Sequence, residues 1–119
     1  MEYNFKNVEK LIESNNFRAI VHNLQKVDLN EKDFKGESLF YKLLAKSPSR
    51  DIILTIAKRG NIDWKYTIND GSNYLHIIAY SKPSVLYDIE YISGISIDTK
   101  NNKGQTPSDI RKNMRKRKK

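Results

Sequence analysis

The chain has 119 residues, with 22 Lys and Arg against 14 Asp and Glu, two His, no Cys and a formal charge of +8. That length suits one compact unit and is short for two ordinary domains. The lack of cysteine excludes disulfides, thiolate metal sites and cysteine nucleophiles, and two imidazoles are too few for a multi-histidine metal cage.

From the N-terminus, Phe5, Val8, Leu11 and Ile12 recur at helical spacing, Asn15 and Asn16 interrupt them, and Phe17, Ile20, Val21 and Leu24 resume the pattern. This predicts a helix pair with no leading glycine turn, a capping unit whose outer face is solvated. Val27 to Asn30 reads as an extended arm that reverses near Asp33 and Gly36. Leu39, Phe40, Leu43 and Leu44 form the stripe of a short helix ending near Lys46. Ser47 is expected to cap the next helix, since its hydroxyl can accept from an unpaired backbone N–H, and Pro48 to take the first helical position, having no donor to lose. Ile52, Ile53, Ile56 and Ala57 carry that helix to Gly60, expected in the left-handed conformation that ends helices. Trp64 and Tyr66 fall in the next arm. Leu75, Ile78 and Ala79 then mark an inner helix, Pro83 starts an outer one, Ile89 and Ile92 continue it, and Gly94 stops it. Arg111, Lys112, Arg115, Lys116, Arg117, Lys118 and Lys119 extend the last helix as a basic tail; subtracting these seven charges from +8 leaves +1 for residues 1–110.

These elements keep a period. Gly71 and Gly104 are 33 residues apart, Gly36 and Gly71 are 35 apart, and Pro48 and Pro83 each follow a turn glycine by 12. A helix pair alone leaves an apolar face exposed, so the period predicts an all-α solenoid of about three to four stacked helix pairs with β-hairpin-like connecting turns. The expected organisation is one domain over 1–110, with a capping repeat at 1–30, repeats at 31–65 and 66–98 and a partial repeat at 99–113, followed by the tail at 111–119. A hydrophobic content of 38 % is lean for a globule but fits a fold that buries mainly the seams between neighbours.

Gly71-Ser72-Asn73-Tyr74-Leu75-His76-Ile77-Ile78-Ala79 and Gly104-Gln105-Thr106-Pro107-Ser108-Asp109-Ile110 resemble the Gly-x-Thr-Pro-Leu-His-x-Ala-Ala pattern of the ankyrin-repeat family. The first of these keeps Gly, Leu, His and the final Ala; the second keeps Gly-Thr-Pro; Gly36-Glu37-Ser38-Leu39-Phe40 is a weaker copy preceded by Asp33. Pro48 and Pro83 depart from the family's usual Gly-His between paired helices. The resemblance implies that His76 hydrogen-bonds within and between repeats and that hairpin tips and inner helices form a concave binding face. It thereby marks as partner-binding Phe34, Lys35, Glu37 and Lys46, then Asn69, Asp70, Ser72, Tyr80 and Ser81, then Asn102, Lys103 and Gln105. Phe34 and Tyr80 are the sharpest of these, because an aromatic on a polar face can anchor an interface.

No phosphate-binding glycine loop, dinucleotide fingerprint or nucleophile elbow occurs, and the carboxylates are scattered, so neither catalysis nor a metal or cofactor is expected. His22, beside Ile20 and Val21, reads as a partly exposed helix position. The basic tail offers phosphate contacts, an acidic-partner contact, a nuclear-import signal in a eukaryotic cell, or simply a solvated end. The function expected is a non-enzymatic protein-interaction module that acts by occlusion. An inhibitor, an adaptor, a viral or microbial host-factor blocker and an immunity-type protein are the roles open to it; the alternative is a nucleic-acid-associated protein that uses the tail. No apolar run approaches the roughly 18 residues of a membrane span and the start has no apolar signal region, so an intracellular location is expected, cytoplasmic or, in a eukaryotic or viral setting, nuclear.

Overall fold

The structure, a computed structural model, describes residues 2–117 and, of their side chains, those of residues 2–114. Lys118 and Lys119 lie outside the described residues, as do the side chains of Arg115, Lys116 and Arg117. The fold is mostly helical, with seven α-helices and no strand among the described residues. The chain divides into two compact units, Met1–Asp63 and Trp64–Lys119.

The first unit opens with α1 (Phe5–Glu13), whose N-cap Asn4 accepts from the Asn7 N–H and whose apolar stripe buries Val8, Leu11 and Ile12. Asn15 then turns the chain at φ 59°, a left-handed conformation that asparagine tolerates better than most residues. It leads into α2 (Phe17–His22), which buries Ile20 and ends in a 3₁₀ turn over Leu24–Lys26. Ser38 caps α3 (Leu39–Ala45) by accepting from the Tyr41 N–H at 3.0 Å. The adjacent pairs Leu39-Phe40 and Leu43-Leu44 are all buried, as a helix facing α1 requires. The last helix of this unit, α4 (Arg50–Arg59), packs on α2 and buries Ile53, Ile56 and Ala57.

Three local expectations are corrected here. Ser47 does not cap α4: it sits at φ 48° in the turn after α3, and Ser49 is the cap, its hydroxyl accepting from the Ile52 N–H. Pro48 therefore lies in the connection, buried, rather than at the first helical position. Gly60 ends α4 at φ −82°, outside the left-handed region, and Asn61 takes the left-handed step at φ 54°. Glycine is required at 60 for a different reason, since a Cβ there would lie 2.5 Å from the Ile56 carbonyl oxygen.

The second unit is built around α5 (Tyr74–Ser81), which buries Tyr74, Leu75, His76, Ile78 and Ala79 and packs against both later helices. The Tyr74 ring stacks on Tyr66 at 4.8 Å between centroids and meets Trp64 edge-on at 5.9 Å, so the arm before α5 contributes aromatic core. Pro83 opens a 3₁₀ turn over Pro83–Val85 that leads into α6 (Leu86–Ser93), and Gly94 ends α6 at φ 74° as a left-handed cap. The final helix, α7 (Pro107–Arg117), begins at a reciprocal cap. Thr106 Oγ1 accepts from the Asp109 N–H, and Asp109 Oδ2 accepts from the Thr106 N–H.

Candidate functional site

Three tight turns precede α3, α5 and α7, and they share one geometry. Asp33 N–H donates to Glu37 O and Gly36 N–H to Asp33 O; Ile68 donates to Ser72 and Gly71 to Ile68; Asn101 donates to Gln105 and Gly104 to Asn101. The three glycines have φ of 81°, 79° and 76°, values that a side chain would strain, which is why glycine recurs there. Single antiparallel bridges, Lys32 to Ser38 and Thr67 to Asn73, flank the first two turns. Asp33 Oδ1 accepts from the Lys35 and Glu37 N–H groups, and Asn101 Oδ1 from those of Lys103 and Gln105. The middle turn has Ile68 at that place and instead uses Asp70 Oδ1, which accepts from the Ser72 N–H. With these backbone groups satisfied internally, Phe34, Lys35, Asn69, Asn102, Lys103 and Gln105 are left facing solvent.

The first tip is the most prominent. Phe34 is 94 % exposed, with the Lys35 ammonium 5.8 Å from its ring centroid. Beneath it, Lys42 of α3 gathers three carboxylates: Asp33 at 2.8 Å, Glu9 of α1 at 3.3 Å and Glu37 at 3.6 Å. The Lys42 hydrogen bond, followed by the Glu37 backbone N–H, holds the Asp33 carboxyl below its ordinary value. In return Asp33, and then Glu9, raise the Lys42 ammonium above its own. Glu37 therefore serves in part to anchor the turn rather than to project from it.

In the second unit the two turns lie side by side: Asn102 N–H donates to Asp70 O at 2.8 Å, and Asn101 Nδ2 donates to Ser72 Oγ at 3.0 Å. Gly71 is pressed into this seam, where an added Cβ would lie 2.6 Å from Asn102 Oδ1. His76 ties the same turns from below. Its Nε2 lies 2.9 Å from the Gln105 carbonyl, an acceptor only, so Nε2 carries the proton and Nδ1 accepts from the Asn73 N–H at 3.1 Å. Asp70 is held below its ordinary value first by the Ser72 backbone N–H and next by the Ser72 hydroxyl, with Lys103 adding a favourable charge.

The expected partner-binding residues thus fall into different situations. Phe34 and Lys35 project from one tip, and Asn69, Asn102, Lys103 and Gln105 are exposed on the paired tips. Tyr80, 63 % exposed, and half-buried Ser81 close α5, and exposed Lys46 caps α3. Asp70 is half-buried, and Ser72 is buried with its hydroxyl accepting from Asn101, so Ser72 belongs to the scaffold and offers nothing to a partner. The sequence reading missed Tyr87 and Tyr91, which are 54 % and 90 % exposed on α6. Their spacing of four, offset from buried Leu86 and Ile89, was the signal available. Of the tail, Arg111 and Lys112 lie on α7 with described side chains, and Arg111 places its guanidinium carbon 5.0 Å from the Tyr87 ring centroid.

Two clefts open in the first unit. One of about 650 Å³ is lined by residues that include His22, Lys26 and Arg59, with the Lys26 and Arg59 cations at helix ends where they complement carbonyl dipoles. The other, of about 520 Å³, lies between the turn at Asn15 and Ser49. Among the described residues no group of three or more His, Asp or Glu is arranged to hold a metal ion, and no helix is long and apolar enough to cross a membrane. Comparison with protein-family models and with curated protein sequences gives no match.

Proposed function

We propose that the chain is an ankyrin-type repeat protein, a solenoid of helix pairs, that binds another protein through its turn tips and acts without catalysis, as an inhibitor or adaptor that occludes its partner. The observation that carries this reading is the recurrence of one closed turn geometry at residues 33–37, 68–72 and 101–105, with Phe34 almost wholly exposed at the first tip. A rigid turn that satisfies its own backbone presents side chains at little entropic cost, and a protruding aromatic is the usual anchor for a pocket on a partner. Exposed Lys103 and Tyr80 supply the polar rim and a second aromatic within the second unit. The absence of a family match makes the repeat geometry, rather than overall similarity, the basis of the proposal.

The test is affinity capture from native lysate with the full chain immobilised, at two salt concentrations, followed by measurement with the partner recovered. Phe34→Ala, Tyr80→Ala and Lys103→Glu combined are expected to weaken that partner by about 100-fold or more, because anchors of this kind contribute about 2 kcal/mol or more each. An unchanged affinity in the triple variant would show that the turn tips are not the binding surface.

A further inference from the structure

The outer surface of the second unit carries a feature that the turn tips do not explain. On α6, Tyr87 and Tyr91 are separated by one helical turn and both are largely exposed, Tyr91 at 90 %. A tyrosine ring this open gains nothing from the core it sits above. On α7, Arg111 reaches across to Tyr87, its guanidinium 5.0 Å from the ring centroid. Arg111 forms no ion pair among the described residues and its Nε is buried without a hydrogen-bond partner, so it is a cation held beside an aromatic with no carboxylate paired to it. Exposed Lys112 follows, and the sequence adds Arg115, Lys116, Arg117, Lys118 and Lys119 without an acid after Asp109.

Three acids lie on these two helices. Glu90 accepts from the Ile97 N–H at 2.7 Å, Asp109 caps α7 through Thr106, and Asp88 is half-buried on the flank of α6. What remains at this surface is two exposed rings, a guanidinium beside one of them and exposed Lys112, followed in the sequence by a run of positive charge. Apolar protein partners do not call for that run, and an acidic peptide does not call for two open rings one turn apart. Bases with phosphates between them call for both, since every base has a face to stack and every linkage a charge to neutralise.

We propose that Tyr87, Tyr91 and Arg111 form a stacking platform for single-stranded nucleic acid, with Lys112 contacting the phosphate backbone. Recognition is by stacking and charge, so it is tolerant of sequence. It is independent of protein binding at the turn tips, and each can fail without the other.

The test uses the full chain and a fluorescently labelled oligothymidylate of about 20 nucleotides, titrated from about 50 to 200 mM salt. Binding is expected to weaken steeply with salt. Tyr87→Ala with Tyr91→Ala should lower affinity at least about 10-fold, while Tyr87→Phe with Tyr91→Phe should keep it, because the ring and not the hydroxyl stacks. Arg111→Gln should weaken binding and flatten the salt dependence. Tyr91→Ala alone, at the most exposed position, tests the platform with the fold undisturbed, and an unchanged thermal midpoint checks this. No binding at about 50 mM salt overturns the proposal, as does wild-type affinity in both alanine variants, which would leave the basic run acting alone. Polyglutamate bound with the same tyrosine dependence also overturns it, in favour of an acidic polypeptide.

Discussion

The two units hold their turns by different physics. In the first, the 33–37 turn is clamped by an ammonium among carboxylates, Lys42 with Asp33, Glu9 and Glu37, near the surface. In the second, the paired turns are joined by neutral hydrogen bonds in a partly buried seam: His76 to Gln105, Asn101 to Ser72, and the Asn102 N–H to the Asp70 carbonyl. A charged clamp is screened by salt, whereas a network of neutral hydrogen bonds is little screened but tolerates no missing partner. The same turn geometry can therefore be stiff in one place and conditionally stiff in another.

The comparison is broken most severely at His76. His76→Ala strands the buried Asn73 N–H, takes one of two donors from the Gln105 carbonyl and empties the space of a buried ring, and a loss of about 3 kcal/mol is expected, since a buried unsatisfied group alone costs about 1–3 kcal/mol. Amide hydrogen exchange should register it first at the 68–72 and 101–105 turns and leave the 33–37 turn protected. Equal loss across all three would deny that the seam is local to the second unit.

Replacing the turn glycines sharpens the contrast. Gly36 and Gly71 have nearly the same φ, 81° and 79°, so alanine at either incurs a left-handed penalty of about 1–2 kcal/mol. Only Gly71 also faces a neighbour, with Asn102 Oδ1 2.6 Å from the new Cβ, while nothing lies within 4 Å of a Cβ at Gly36. Gly71→Ala is therefore expected to be the more destabilising by about 1 kcal/mol in denaturant titration. If the two variants unfold alike, the turn seam is looser than its geometry implies.

The smallest effect belongs to Lys42. Lys42→Met should reduce stability by about 1 kcal/mol or less near neutral pH, as half-exposed ion pairs do. Its signature lies in the pH profile. Asp33 has its folded value depressed, so its contribution is present above its ordinary 3.8 and is lost as pH falls through the folded value. Lys42 has its folded value raised, so its contribution is complete below its ordinary 10.5 and is lost as pH rises through the folded value. Asp70 and Asp109 are also depressed, by hydrogen bonds led by the Ser72 and Thr106 backbone N–H groups, so the acid limb is shared by both units. The alkaline limb should be specific to the first, and thermal unfolding of Lys42→Met from pH 7 upward should lack it. A variant that keeps the wild-type alkaline loss would remove Lys42 from the account.

Much of the local fold is legible from residue order because it depends on local rules. Helical stripes such as Val8, Leu11 and Ile12 reflect a period of 3.6 residues, and Gly36, Gly71 and Gly104 mark backbone steps that disfavour a Cβ. Where two local solutions were available, the reading slipped: both Ser47 and Ser49 can cap, and both Gly60 and Asn61 can end a helix. The steric field of the preceding turn chose between them, placing Ser49 at the cap and Gly60 against the Ile56 carbonyl. The candidate surface was less legible, since exposure depends on what packs nearby. Ser72 is expected at a tip and is buried with its hydroxyl accepting from Asn101, while Tyr87 and Tyr91, which the residue pattern did not single out, stand open.

By itself the sequence determined the helical stripes, the glycine turns at 36, 71 and 104, their recurrence after 35 and 33 residues, and that positive charge collects at one end. These follow from side-chain periodicity and backbone sterics, which act over a few residues. Only the tertiary structure decided that Lys42 would meet acids from residues 9, 33 and 37, that His76 would reach across 29 residues to Gln105, and that Arg111 would lie over Tyr87. Such pairings join parts of the chain that no local rule relates, and they are set by which surfaces the hydrophobic core brings together.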